Sequence, residues 1–272
     1  MARWQRHHDP AEIEHVDHPL PSTLSHLDGT RIVQVSDLHV GPFFRAETWA
    51  KHIARINALE PDVVVITGDA MDWARRYEND FVEPLGTLAP RVATLAILGN
   101  HDFYFGPRRL ARGYERSRNV VLLRGGRFET DALPGLSFWG IDDPMTPLAL
   151  ASPYPALCAW AARELDPGRF NVLLSHRPDA FRHAPSLGFD LQLSGHTHGG
   201  QIVVTAPWGR RVHVASVLGP WDRGQFQHES TQRVSRLYVS RGLGFAGVPY
   251  RLDCPTEITV HALRSASAAM AR

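Results

Sequence analysis

Cysteine is almost missing from this chain. Its two cysteines, Cys158 and Cys254, stand far apart and in no CxxC spacing, which excludes a disulfide framework and a cysteine-held zinc as the basis of the fold. An excess of charge is missing as well. Lysine and arginine number 29 against 28 aspartates and glutamates, a net charge of +1, so no basic stripe is available for a polyanion and no nucleic-acid-binding surface is expected. No apolar run approaches the roughly 18 to 20 residues that span a bilayer, and MARWQRHHDP is not followed by the apolar core of a secretory signal. A cytoplasmic location is expected, with at most a peripheral contact at the inner membrane through a few aromatics. Internal repeats and low-complexity tracts are absent apart from a small-residue tail over 265–272, which is expected to fray.

Core-forming material, in contrast, is ample. The chain is 272 residues long and 43% hydrophobic, enough for one large α/β domain. Short β-branched runs recur: RIVQVSD, VVVITGD, TLAILGN, VVLL, LSFWGID, FNVLLSH and FDLQLSG. Between the early ones lie segments with helical spacing, such as AETWAKHIARINALE, where Trp49, Ile53, Ile56 and Leu59 repeat at three or four residues. Strand, helix, strand in this rhythm predicts βαβ units, and nearly continuous apolar strands predict sheets covered on both faces. The strand-rich second half adds a second sheet. The expected architecture is α/β: a four-layer α/β/β/α sandwich of two mixed sheets flanked by helices, in a single domain over 31–264. Residues 1–30 precede it as an extended arm or an edge strand, and the histidines His7, His8, His15, His18 and His26 are expected to be solvated there.

In α/β sheets ligands bind beyond the carboxyl ends of the strands. The residues following the apolar runs are Asp37 and His39 (VSDLH), Asp69 (ITGD), Asn100 and His101 (LGNHD), His176 (LLSH), and His196 and His198 (SGHTH). Each alone reads more readily as a turn, a cap or a hydrogen-bonded structural residue. As a set they have no common structural reason, and the glycines around His196 and His198 permit tight turns and close approach.

The order DxH, GD, GNHD, H, GHxH resembles the signature of the calcineurin-like metallophosphoesterases, and the resemblance extends from about Arg31 to about Leu263. It implies two divalent metal ions per chain, one held by Asp37, His39 and His198 and the other by Asn100, His176 and His196, with Asp69 bridging. Imidazole, carboxylate and one amide suit Mn²⁺ first, with Fe²⁺ or Zn²⁺ as alternatives. Two such ions about 3.5–4 Å apart can activate a bridging water as the nucleophile for in-line attack on phosphorus. The resemblance further implies that His101 contacts the phosphoryl group or protonates the leaving oxygen, oriented by Asp72 of GDAMD.

Where the protein phosphatase branch continues this motif with arginine, the chain has Trp73, which argues against a phosphoprotein substrate. The phrases LDGTRIVQVSDLH, GHTHGGQI and YVSRGLGFAGVPYRLDCPTEI look most like the bacterial YkuE-like phosphodiesterase branch. A phosphodiesterase acting on a small-molecule or lipid-linked phosphoester or diphosphate is therefore expected. A pyrophosphatase for UDP-2,3-diacylglucosamine-type lipids is the alternative among enzymes, and a catalytically inert scaffold on the same fold is the alternative outside them. Phe43, Phe44 and the run Phe103–Phe105 flank the motifs. They read first as core or loop anchors, and Phe103 also as part of an apolar wall for substrate. Arg241 and Arg251 are candidates to bind a second phosphate, or else to solvate the surface.

Overall fold

The protein is described by a computed structural model covering residues 3–7, 9–72, 74–117, 119–143, 154–206, 208–209, 211–231 and 233–265. The first half runs β1 (Trp4–Arg6), β2 (Glu12–Pro19), β3 (Arg31–Val35), α1 (Ala46–Ala58), β4 (Val63–Thr67), α2 (Glu78–Leu85), β5 (Ala93–Ile97), α3 (Asn100–Phe105), α4 (Pro107–Ser117) and β6 (Val120–Leu122). The second half continues β7 (Gly126–Phe128), β8 (Leu136–Ile141), α5 (Pro155–Glu164), β9 (Phe170–Ser175), α6 (Ala184–Leu187), β10 (Leu191–Ser194), β11 (Val204–Thr205) and β12 (Arg211–Val212). It ends with β13 (Gly224–Glu229), β14 (Val234–Val239), β15 (Tyr250–Leu252) and β16 (Glu257–Arg264).

Two six-stranded sheets result, in the orders β2-β16-β3-β4-β5-β6 and β13-β14-β10-β9-β8-β7. Both are mixed. In the first, β3 to β6 are parallel and β16 runs antiparallel to β3. In the second, β14, β10, β9 and β8 are parallel, with β13 and β7 antiparallel at the edges.

The alternation of side chains along each strand sets the layers. Ile32, Val63, Val65, Leu95 and Ile97 of the first sheet face Val172, Leu174, Leu191 and Leu193 of the second. Their neighbours Val33, Val35, Val64 and Ile66 point outward onto Trp49, Ile53, Phe81 and Leu110 of α1, α2 and α4. On the far side Trp139, Leu173, Leu237 and Val239 pack under Ala161, Phe181 and Phe189. Each such side chain contributes about 1.5–3 kcal/mol by leaving water, and no strand of the parallel core can slip by one residue without reversing its two faces. The result is the α/β sandwich of mixed sheets flanked by helices. Among the described residues no helix is long and apolar enough to cross a membrane.

The N-terminal histidines need one correction. β2 is an edge strand paired in parallel with β16, and its inward alternation buries Val16 and His18. His18 is therefore not solvated: it is 1% exposed, and its Nε2 meets His261 Nδ1 at 2.9 Å. His8 and residues 266–272 of the tail lie outside the described residues.

Candidate metal centre

The parallel strands of both sheets end at one edge of the sandwich, and there the polar residues that follow them converge. Asp37 and His39 follow β3, Asp69 follows β4, Asn100 opens α3 after β5, His176 follows β9, and His196 and His198 follow β10. Three groups have ligand atoms mutually within 4.8 Å: Asp37, His39 and His198; Asp69, His176 and His196; and His39, Asp69 and His101. Asp69 Oδ2 stands 3.7 Å from His39 Nε2 and 3.2 Å from His176 Nε2, so one oxygen faces both halves of the cluster.

The backbone is strained where these residues sit. Asp37, His39, Asp69, His196 and His198 all have positive φ, between 46° and 71°. Non-glycine residues reach that region at a cost of order 1–3 kcal/mol each, and such outliers gather at functional sites. Two glycines allow the strand ends to touch. A Cβ on Gly195 would lie 2.2 Å from Asp37 Oδ2, and one on Gly99 would lie 2.2 Å from Asp69 Oδ1, so neither position accepts a side chain.

The donor set fits divalent cations. The buried Asn100 Oδ1 has no hydrogen-bond partner among the described residues. His176 donates from Nδ1 to the Thr67 carbonyl at 2.8 Å, which turns the lone pair of Nε2 toward Asp69. Burial pushes the His39 imidazole down to about 4, and pushes His196 and His198 well below the ordinary histidine value. Such rings are neutral, the form a metal requires. Burial opposes charge on His176 too, but the adjacent Asp69 prevails and raises it to about 10. That proton occupies a place that a cation between the two would take. Asp37 is raised to about 6 by burial, whereas Asp69, despite burial, is held below the usual carboxylate range by His176.

His101 lies beside the cluster, with its ring 4.6 Å from that of His39 and its Nδ1 3.4 Å from Asp72 Oδ1. Burial disfavours its charge, but the Asp72 and Asp69 carboxylates together outweigh burial and raise its pKa. Asp102 is a cap: fully buried, it accepts from the backbone N–H groups of Met71 and Gly99.

The substrate candidates need correction. Arg251 is fully buried, donating to the carbonyls of Gly244 (2.6 Å) and His198 (3.1 Å) and lying 3.2 Å from His198 Nδ1. It braces a candidate metal ligand from behind, turned away from any position where it could meet substrate. Arg241 turns inward to Glu257, Glu14 (2.7 Å) and Glu12 (3.2 Å), because the end of β14 adjoins β2 and β16. Phe103 packs against the first core; the aromatic that meets His101 is Tyr104, 55% exposed, with ring centroids 5.7 Å apart.

Two further residues of the site were not foreseen. Gln34 donates to Thr67 Oγ1 (2.9 Å) and to the Ser194 carbonyl (3.0 Å), tying the two sheets together just beneath the ligands. Arg177 places Nη1 3.0 Å from His196 Nε2 and donates from Nε to Asp143. Its position directly after His176 was the available signal.

Comparison with known proteins bears on this constellation. Residues 30–200 match the model of the calcineurin-like phosphoesterases. The chain belongs to that family. It is 31% identical to the metallophosphoesterase YkuE of Bacillus subtilis over 96% of this chain and 89% of that protein. It is also 31% identical to a bovine transmembrane protein with a metallophosphoesterase domain, and 30% identical to the metallophosphoesterase Cj0846 of Campylobacter jejuni. It covers 92% of itself in both cases but only 55% and 62% of those longer proteins. Among solved structures, TT1561 of Thermus thermophilus has a similar fold at a TM-score of 0.50 and 11% identity, over 79% of this chain and 90% of that one. The family is metal-dependent, and this member has clustered histidines and aspartates able to bind metal.

Proposed function

We propose that the protein is a phosphodiesterase or pyrophosphatase with two divalent ions, Mn²⁺ foremost, for small-molecule or lipid-linked substrates. Asp37, His39 and His198 would hold one ion, and Asn100, His176 and His196 the other, with Asp69 shared. The observation that carries this reading is the position of Asp69 Oδ2 between two groups of ligands. When bound, the ions supply Lewis acidity at phosphorus and a water acidic enough to attack it.

The chain supplies the rest. Thr67, through its carbonyl, and Arg251 orient His176 and His198. His101, whose pKa is raised by the neighbouring Asp72, gives its proton to the departing oxygen. Burial of Asp37, Asp69 and His176 keeps competing water from the ligands. Exposed Tyr104 beside His101 favours, as a second reading, a diphosphate carrying an apolar group.

The test is metal content of protein purified without chelator, together with hydrolysis of bis-p-nitrophenyl phosphate and p-nitrophenyl phosphate in Mn²⁺. About two ions per chain and faster diester cleavage are expected. No metal and no turnover would refute the reading in favour of an inert scaffold.

A further inference from the structure

Arg177 is placed unlike the arginines inside the fold. Its Nε donates to Asp143 Oδ2 at 2.6 Å, and the Asp143 side chain is wholly buried. The backbone N–H of Asp143 is fastened in turn to the Leu98 carbonyl, beside Gly99 and Asn100. The main chain of Arg177 is equally fixed, since its carbonyl accepts from the Ser175 hydroxyl at 2.9 Å. The Arg177 side chain is 17% exposed, and its outer end meets the candidate ligands. There Nη1 lies 3.0 Å from His196 Nε2, and both residues are half-buried.

A guanidinium has donors only, so this contact needs the lone pair of His196 Nε2. That lone pair is lost when His196 holds a cation. If the ion is bound at Nε2, the pair is used directly. If it is bound at Nδ1, the neutral ring carries its proton on Nε2, and two N–H groups would oppose each other. With either nitrogen, metal binding by His196 releases Nη1 while Asp143 retains Nε. A cation beside a metal centre is repelled unless a carboxylate holds it, and Asp143 is that carboxylate. What remains is a steered fork of N–H donors, a shape that matches two phosphate oxygens.

We propose that Arg177, aimed by Asp143, binds the non-bridging phosphate oxygens of the substrate and becomes free to do so only when His196 holds its ion. It takes the role that Arg241 and Arg251, turned inward, cannot fill. The inference rests on the metallophosphoesterase site proposed above, and the experiment separates the two.

Inorganic phosphate is titrated calorimetrically into Mn²⁺-loaded wild type, Arg177→Met, Arg177→Lys and Asp143→Asn, with Mn²⁺ affinity and content measured on each. Arg177→Met is expected to weaken phosphate binding by roughly 10- to 100-fold while Mn²⁺ affinity stays level or rises, because the competitor for His196 is gone. Arg177→Lys keeps the charge on Asp143 without the fork and recovers part of the loss; it also serves if the methionine variant does not fold. A residue that merely props His196 would give the reverse, with lost Mn²⁺ and undiminished phosphate binding in the loaded fraction, and that result overturns the proposal. Equal phosphate affinity in loaded wild type and Arg177→Met overturns it too, even when wild type cleaves diesters normally. If wild type takes up no divalent metal, the site reading itself fails and the inference falls with it.

Discussion

The two halves of the candidate centre each pair two histidines with one further side chain, Asp37 in one and Asn100 in the other, and are fastened from opposite directions. Asp37, His39 and His198 are all buried, and behind them lies Arg251, a guanidinium with no exposure at all, bonded to the main chain of His198. On the other side His176 is buried and held by the Thr67 carbonyl, but His196 is half-buried and is braced at the mouth by Arg177 and Asp143. One half is secured by the interior of the fold. The other is secured by a half-buried arginine held on a buried carboxylate. A ligand group locked from behind holds its ion as part of the structure, whereas one braced from the front can exchange that brace for a substrate contact.

Removing the shared ligand would break both halves at once. Asp69→Asn is expected to lower turnover of bis-p-nitrophenyl phosphate by about 10³-fold or more, with metal content reduced and circular dichroism unchanged. Full metal and full turnover in that variant would dissolve the distinction between the halves, since nothing would then join them.

Arg251→Met tests the buried half alone. It strands the carbonyls of Gly244 and His198 in the interior, so a loss of about 2–4 kcal/mol in urea denaturation is expected. Mn²⁺ binding should weaken by about 10- to 100-fold through the misplaced His198. If stability and metal affinity both stay at wild-type values, the rear brace has no function.

Asp72→Asn acts outside both groups. It removes the partner of His101 but no ligand, so turnover should fall by about 10- to 100-fold while elemental analysis finds the wild-type metal content. Loss of metal would instead place Asp72 among the ligands.

The smallest effect separates the interior from the site by pH. Burial pushes His18 down to about 3 and His52 to about 4, and pushes His261 well below its ordinary value. Unfolded, these rings take up protons below about pH 6.5. The unfolded chain therefore binds more protons in acid, and stability falls as pH drops from about 6.5 toward the folded values, by up to about 1.4 kcal/mol per pH unit for each ring. In chelator-treated protein, His18→Gln should flatten the slope of stability between about pH 6.5 and 5 by about 1–2 kcal/mol over that interval. An unchanged slope would move the acid sensitivity to the ligand histidines.

The clustering of the candidate ligands was legible in sequence because they lie at the ends of apolar runs beside glycine, and parallel strands carry such ends to one edge. The helix from Trp49 to Ile56 was legible from its spacing for a similar, local reason. The arginines were not. Arg241 meets Glu14 across 227 residues of sequence, and Arg251 meets His198 across 53. No local pattern distinguishes an arginine held by such partners from one that faces solvent. The same holds for His18, which is buried only because β2 pairs with β16. It holds too for Tyr104, whose place beside His101 depends on how α3 turns Phe103 and Phe105 toward the core.

By itself, then, the sequence determined the α/β class through its strand and helix periods, and the identity of the clustered aspartates, asparagine and histidines through their places after strands. Those are properties of neighbouring residues, and neighbouring residues set local backbone shape. The tertiary structure alone decided that one oxygen of Asp69 faces both groups, which arginines are spent inside the fold, and that Arg177 stands at the mouth on a buried carboxylate. Each of these depends on distances between segments that only the packing of two sheets brings together.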